Sequence, residues 1–197
     1  MRHIGIGACL AIVLCLLASQ PVFAAIGAKA TITSEQPIAG GKYEYTMSLQ
    51  NTGDVPISTF WFGWVIYDYP PYYTYVYDLL PHPASNVQSP GGWFGSGAQD
   101  GIIGGYYSVE WYTGSPLQPG NSVSGFKFDT LDTPDIIKGP SYYGPPVLES
   151  MVYQNVYSTT STSGASIEFT PDVAPAPEPA LVGLLLPGML LIRRKRI

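Results

Sequence analysis

The chain has few of the residue types that carry most enzyme chemistry. Only two of its 197 residues are cysteine, Cys9 and Cys15, and only two are histidine, His3 and His82. Both cysteines lie in the apolar first two dozen residues, so the remainder has no disulfide, thiol nucleophile or cysteine metal site available to it. A single histidine without cysteine cannot supply the three or four ligands, mostly nitrogen or sulfur, of an ordinary zinc site. Arginine is missing between Arg2 and Arg193, and charged residues make up 12% of the chain. From residue 25 to residue 179, four lysines (Lys29, Lys42, Lys127 and Lys138) stand against all fourteen carboxylates, a net charge of −10. Such a surface repels phosphate polymers and excludes nucleic acid as a partner. Helical periodicity of any length is missing outside the two terminal segments.

What is present is clearest at the ends. Arg2 and His3 precede the apolar residues 4–17, and Ser19, Gln20 and Pro21 follow. Charged, apolar and cleavage regions in that order form a secretory signal peptide. Val22-Phe23-Ala24 puts a compact and a small residue at the positions signal peptidase reads. The mature chain is therefore expected to begin at Ala25, after removal of residues 1–24 as a signal helix. The apolar run is too short to cross a bilayer, which takes roughly 20 residues. At the other end, Pro175-Ala176-Pro177-Glu178-Pro179 precedes an apolar stretch over 180–192 and the basic cluster Arg193, Arg194, Lys195 and Arg196. This is a stop-transfer pattern, because arginine and lysine stay on the cytoplasmic side. Thirteen apolar residues interrupted by Pro187 and Gly188 make a poor permanent anchor. Residues 180–197 are expected as a short transmembrane helix with a basic tail, and residues 173–179 as an extended proline-rich linker.

Pro177, Glu178 and Pro179, followed by the short apolar segment and Arg193 to Arg196, resemble the sorting tail of the PEP-CTERM family of bacterial surface proteins. The matched stretch covers residues 175–197, and it is an address, not an activity. The apolar segment departs from the pattern in its shortness and in Pro187. The resemblance implies recognition by an exosortase, a membrane-embedded transpeptidase-like enzyme that removes the tail. It also implies an inner-membrane intermediate, followed by delivery to the cell surface or extracellular matrix of a Gram-negative bacterium.

Residues 25–172 have the length of one domain. Tyr43, Tyr45, Met47 and Leu49 alternate with polar residues, as in a half-buried strand. Ala28-Ala30-Ile32, Tyr107-Val109-Trp111 and Ala165-Ile167-Phe169 alternate likewise, and residues 148–157 supply another β-rich run. Residues 60–67 are apolar on both faces and read as one central strand covered on both sides, or else as one carrying an exposed aromatic surface, with burial favoured. The apolar parity of residues 123–128 changes at Gly125, as a β-bulge requires. Turn signals stand at Gly40-Gly41, Asn51-Thr52-Gly53-Asp54 and Pro119-Gly120-Asn121. Seven or so strands and no helices predict an all-β, immunoglobulin-like β-sandwich, with a jelly roll as the alternative.

Candidate chemistry is sparse. His82, between Pro81 and Pro83, reads as an exposed turn residue, with no Gly-x-Ser-x-Gly elbow anywhere to complete a triad. Asp129, Asp132 and Asp135 are spaced three apart but lack the EF-hand pattern, and read as a solvated loop. Asp68, Asp78, Asp100 and Glu110 are carboxylates that could supply a glycosidase pair, as any acidic domain offers such candidates. Residues 158–164, rich in serine and threonine, read as a hairpin loop. Residues 70–105 form a long aromatic segment, and long connections tend to be functional. Within it Tyr72, Tyr73, Tyr75, Tyr77 and Trp93 are a candidate ligand surface, or else Tyr75 and Tyr77 belong to a further strand and Trp93 plugs the sandwich.

The sequence therefore predicts an exported, non-enzymatic surface protein, without metal or cofactor, that contacts extracellular polysaccharide or takes part in biofilm or surface structure. The alternative is a secreted carbohydrate-active enzyme using a carboxylate pair. Mass spectrometry of protein recovered from the cell surface is expected to find chains that begin at Ala25 and lack Arg193 to Ile197.

Overall fold

The computed structural model describes residues 25–69, 73–99, 105–155 and 165–175, without the side chains of 67–69 and 73–75. The expected signal helix, the tail from Pro177 onward, the serine-rich loop 158–164 and the sites Tyr72, Asp100, Glu178 and Arg193 to Arg196 lie outside the described residues. No helix among the described residues is long and apolar enough to cross a membrane.

Twelve strands form among these residues, more than the seven or so expected. They are β1 (Ala28–Ile38), β2 (Lys42–Asn51), β3 (Ile57–Phe62), β4 (Trp64–Tyr69), β5 (Tyr73–Asp78), β6 (Ser85–Gln88), β7 (Trp93–Ala98), β8 (Ser108–Leu117), β9 (Ser122–Thr130), β10 (Ser150–Tyr153), β11 (Ser166–Phe169) and β12 (Asp172–Val173). One short helix, α1 (Pro134–Lys138), stands between β9 and β10, its first turn capped by the Thr133 hydroxyl. One sheet has the order β12-β1-β2-β9-β6, a second has β11-β10-β3-β8-β7, and β4 and β5 form a separate hairpin. The fold is an all-β sandwich.

Its core follows from the alternation. Tyr45, Met47 and Leu49 of β2 are fully buried, as are Phe126 and Phe128 of β9. Phe126 lies edge-on to Phe60, Trp93 and Trp111 at centroid distances of 5.5, 5.1 and 5.3 Å, and Phe128 meets Phe62 at 5.2 Å. These contacts join the two sheets. The bulge expected at Gly125 is present: Met47 pairs with Phe126 but Ser48 with Ser124, and Gly125 has φ +102°. Glycine alone adopts that conformation cheaply. Gly95 matters for a different reason: the Trp111 indole crosses it, its N–H donating to the Gln88 carbonyl at 3.0 Å. A Cβ at Gly95 would lie 2.6 Å from the indole nitrogen.

Asn51 knits two turns together. Its side-chain amide donates to the carbonyls of Val55 and Leu117 at 2.8 and 2.9 Å, and its side-chain oxygen accepts from Gly53 N–H at 3.0 Å. This buried polar group is thereby satisfied by the two segments it ties.

Two expectations need correction. Residues 60–67 are not one strand: Gly63, at φ +66°, breaks the run into β3 and β4. The double-sided burial holds for β3, because Trp61 packs outward with Trp64, Met151 and Tyr153 in a second cluster joined by Ile66 and Val76 of the β4–β5 hairpin. Residues 70–105 are likewise not one long connection, since β5, β6 and β7 fall within them. At the far end, Asp172 and Val173 run parallel to Thr31 and Ile32, and Ala174 N–H donates to the Ile32 carbonyl. Attachment to the sheet thus extends two residues into the stretch read as linker.

Gly95→Ala is expected to lower stability by about 1–3 kcal/mol, read from the denaturation midpoint, because the indole has no room to yield. Gly91→Ala, where an added carbon meets nothing within 4 Å, should stay within about 0.5 kcal/mol of the parent.

Candidate functional site

β8 and β10 both run antiparallel to β3, so both begin at the end of the second sheet where β3 finishes. The hairpin returns to the same place, its Asp78 paired with Trp64 and the Leu79 N–H bonded to the Gly63 carbonyl. Topology therefore gathers Tyr77 from β5, Tyr106 from the approach to β8, and Tyr142 and Tyr143 from the approach to β10. Their rings form a continuous cluster. Tyr77 and Tyr143 lie 4.7 Å apart, Tyr106 and Tyr143 5.1 Å, Tyr142 and Tyr143 5.3 Å, and Tyr106 and Tyr142 are stacked at 6.0 Å.

The cluster grades from buried to wet. Tyr77 and Tyr143 pack against the main core, whereas Tyr142 is 80% exposed. Its turn is tightly framed: Gly144 N–H donates to the Ser141 carbonyl at 3.1 Å, Ser141 N–H to the Pro145 carbonyl at 2.6 Å, and Pro140 bridges Pro146. Burial, then the neighbouring Tyr106, Tyr142, Tyr77 and Asp78, pushes the Tyr143 hydroxyl above the usual phenol range, so it remains a neutral donor. That hydroxyl has no hydrogen-bond partner among the described residues. Tyr107, next in sequence, lines an open groove of about 270 Å³ with Pro83, Ala84, Gly97, Ala98 and Gln99. A separate exposed pair, Phe94 and Tyr112, stacks at 5.7 Å on β7 and β8.

Of the ligand surface read from the sequence, Tyr77 belongs to this cluster but Trp93 does not. Trp93 is 8% exposed and sits in the sheet-to-sheet core, so it is closed to a ligand. Its strand parity turns it inward, opposite Thr113 on β8. Tyr73 and Tyr75 lie on β5, but their side chains are outside the description. Tyr106, Tyr142 and Tyr143 escaped sequence reading because their proximity depends on strand order. The one local signal was the doublet Tyr142-Tyr143 framed by Pro140, Gly144, Pro145 and Pro146.

His82 is not a free turn residue. Its Nδ1 lies 2.7 Å from Oδ1 of the fully buried Asp132, whose Oδ2 accepts from the Thr130 hydroxyl at 3.0 Å and from His82 N–H at 3.2 Å. Asp132 therefore anchors the proline-flanked loop to β9 instead of lying in a solvated loop. Asp129 is also buried, Asp135 is exposed on α1, and no group of three acidic or histidine side chains among the described residues converges on a metal position.

Asp78 is buried beside the tyrosine cluster and Glu110 lies opposite Trp61, while the Asp68 side chain and Asp100 are outside the description. The structure instead brings Glu168 of β11 against Glu149. Partial burial, then the hydrogen bond and charge of Glu149, pushes the Glu168 carboxyl up to about 7. Two carboxyls in hydrogen-bond contact leave no space for a sugar bond, which glycoside hydrolysis places between groups about 5–5.5 or about 6.5–9.5 Å apart. Comparison with models of known protein families and with curated proteins finds no match for the chain.

Glu168 sets a pH dependence. The unfolded chain releases this proton near 4.5 and the folded one near 7, so the folded state binds more protons between those values. Stability therefore falls as pH rises through that window and is flat above it. Because Glu168 lies at the surface, screening holds the effect to less than about 1 kcal/mol. Urea midpoints measured from pH 4 upward should show this decline in the parent and its loss in Glu168→Gln.

Proposed function

We propose that the protein is an exported surface or matrix component, sorted by an exosortase-type pathway, whose domain works by contact with extracellular polysaccharide and not by catalysis. Its partners on the way are signal peptidase, the export machinery and the tail-processing enzyme, with the inner membrane holding the intermediate. The observation that carries the sorting half is the order at the C-terminus: Pro177-Glu178-Pro179, a brief apolar stretch, then Arg193 to Arg196. A basic cluster resists translocation, and the apolar stretch before it is too short to hold permanently. The contact half rests on Tyr142, a ring held 80% exposed on a rigid turn beside three more tyrosines. Tyrosine presents an apolar face and a polar edge, which suits a sugar ring.

Within the sandwich class, the jelly-roll alternative has the better support. Strands far apart in sequence are central neighbours, as in β2 with β9 and β3 with β8, and the chain changes sheet at β2 to β3, β6 to β7, β8 to β9, β9 to β10 and β11 to β12.

Replacing Glu178 and deleting Arg193 to Arg196 is expected to block tail removal, leaving a heavier, membrane-retained species by mass spectrometry and cell fractionation. Normal processing and surface delivery of that variant would remove the basis of the sorting reading.

A further inference from the structure

Every lysine of residues 25–179 is already engaged. Lys29 lies 3.1 Å from Asp172, Lys127 3.1 Å from Glu44 and Lys138 2.9 Å from Glu35, while Lys42 donates to the Ser85 hydroxyl at 2.9 Å. Three of the four positive charges are thus matched by a carboxylate, and no arginine lies in this stretch. None of the four sits in the tyrosine cluster, where the acidic neighbour of Tyr143 is Asp78, itself only 2% exposed. A chain bearing uronate, sulfate or phosphate would meet a net charge of −10, and the one lysine without a carboxylate partner, Lys42, is bonded to Ser85 outside the cluster. An amine-bearing chain would be drawn to carboxylates elsewhere, weakly and in a way that salt screens.

Resting on the polysaccharide reading above, we infer that the Tyr106, Tyr142 and Tyr143 surface binds an uncharged polysaccharide, through ring stacking and hydroxyl hydrogen bonds. Stacking uses the apolar C–H face of a sugar against the rings, and the hydroxyl of the exposed Tyr142 meets the sugar hydroxyls at the edge, the Tyr143 hydroxyl being buried beneath it. The Tyr142 ring already rests against Tyr106 and Tyr143 before binding, so part of its side-chain freedom is spent before a sugar docks. No ion pair takes part, so the interaction is insensitive to salt.

The test is retardation of the mature protein, recovered from producing cells, in native gels containing hydroxyethylcellulose, dextran, chitosan or alginate. Wild-type protein should be retarded by a neutral polymer equally at low and high salt. Tyr142→Ala, a surface change that leaves the core intact, and Tyr106→Ala should each weaken that retention about tenfold, the scale of losing one anchor ring. Phe94→Ser, at the separate exposed pair, should leave it unchanged. The inference is overturned if both tyrosine variants bind like the parent, if Phe94→Ser alone abolishes retention, or if Tyr142-dependent retention by alginate or chitosan exceeds that by the neutral polymers. Those results spare the polysaccharide reading itself. Absence of retention in all four polymers removes both.

Discussion

Phe126 and Phe128 reach from β9 into the rings of Phe60, Phe62, Trp93 and Trp111 on the opposite sheet, and no disulfide backs up this contact, since both cysteines precede residue 25. Each such ring pair contributes about 0.5–1.5 kcal/mol beyond the burial of its area. The contact exists only because the chain inserts an extra residue at Gly125. Without that bulge Val123 and Lys127 would share the inward face, and a lysine would lie in the core. Gly95 is the complementary concession on the facing sheet, where the Trp111 indole occupies the space a side chain would fill. Two residues with no side chain are thus as necessary to the sandwich as the rings they admit.

The same economy shapes the outer side of the second sheet. β3 is buried on both faces, which an open two-layer sandwich does not allow. Gly63 resolves this by turning the chain back as the β4–β5 hairpin, which brings Trp64, Ile66 and Val76 onto Trp61 and Met151. The hairpin ends where β8 and β10 begin, and Tyr77 arrives there to pack against Tyr143. Covering an apolar strand and assembling the tyrosine cluster are therefore one structural event.

What was legible in the sequence was whatever depends on near neighbours. Alternation in β2 and β11, the bulge at Gly125 and the Asn51 turn each involve residues a few positions apart, where period and glycine placement carry the signal. Residues 60–67 misled because an unbroken apolar run hides a turn at Gly63, which glycine allows without any polar neighbour. The His82–Asp132 contact spans fifty positions and Tyr77–Tyr143 spans sixty-six. Strand order decides such proximities, and periodicity holds no record of strand order. Trp93 reads from the sequence either as ligand surface or as a plug of the sandwich, and its pairing with β8 and its burial place it in the core.

The positive charge of this domain is mostly committed to internal pairs. Asp132 secures the His82 loop, Lys138 and Glu35 tie α1 to β1, and Lys29 with Asp172 clasps β12 to β1. Surface ion pairs of this kind contribute little to stability, about 0–1 kcal/mol each, but each one removes a cation from what a partner can meet. What a partner does meet near β8 and β10 is a set of neutral rings and hydroxyls. Recognition by such groups gains from preorganisation and contact area, not from long-range attraction. As a single cluster the proposed contact is weak, and a polymer with repeating identical units is the partner for which weak, repeated contact suffices. The proposed delivery of many copies to one cell surface supplies that repetition from the protein's side.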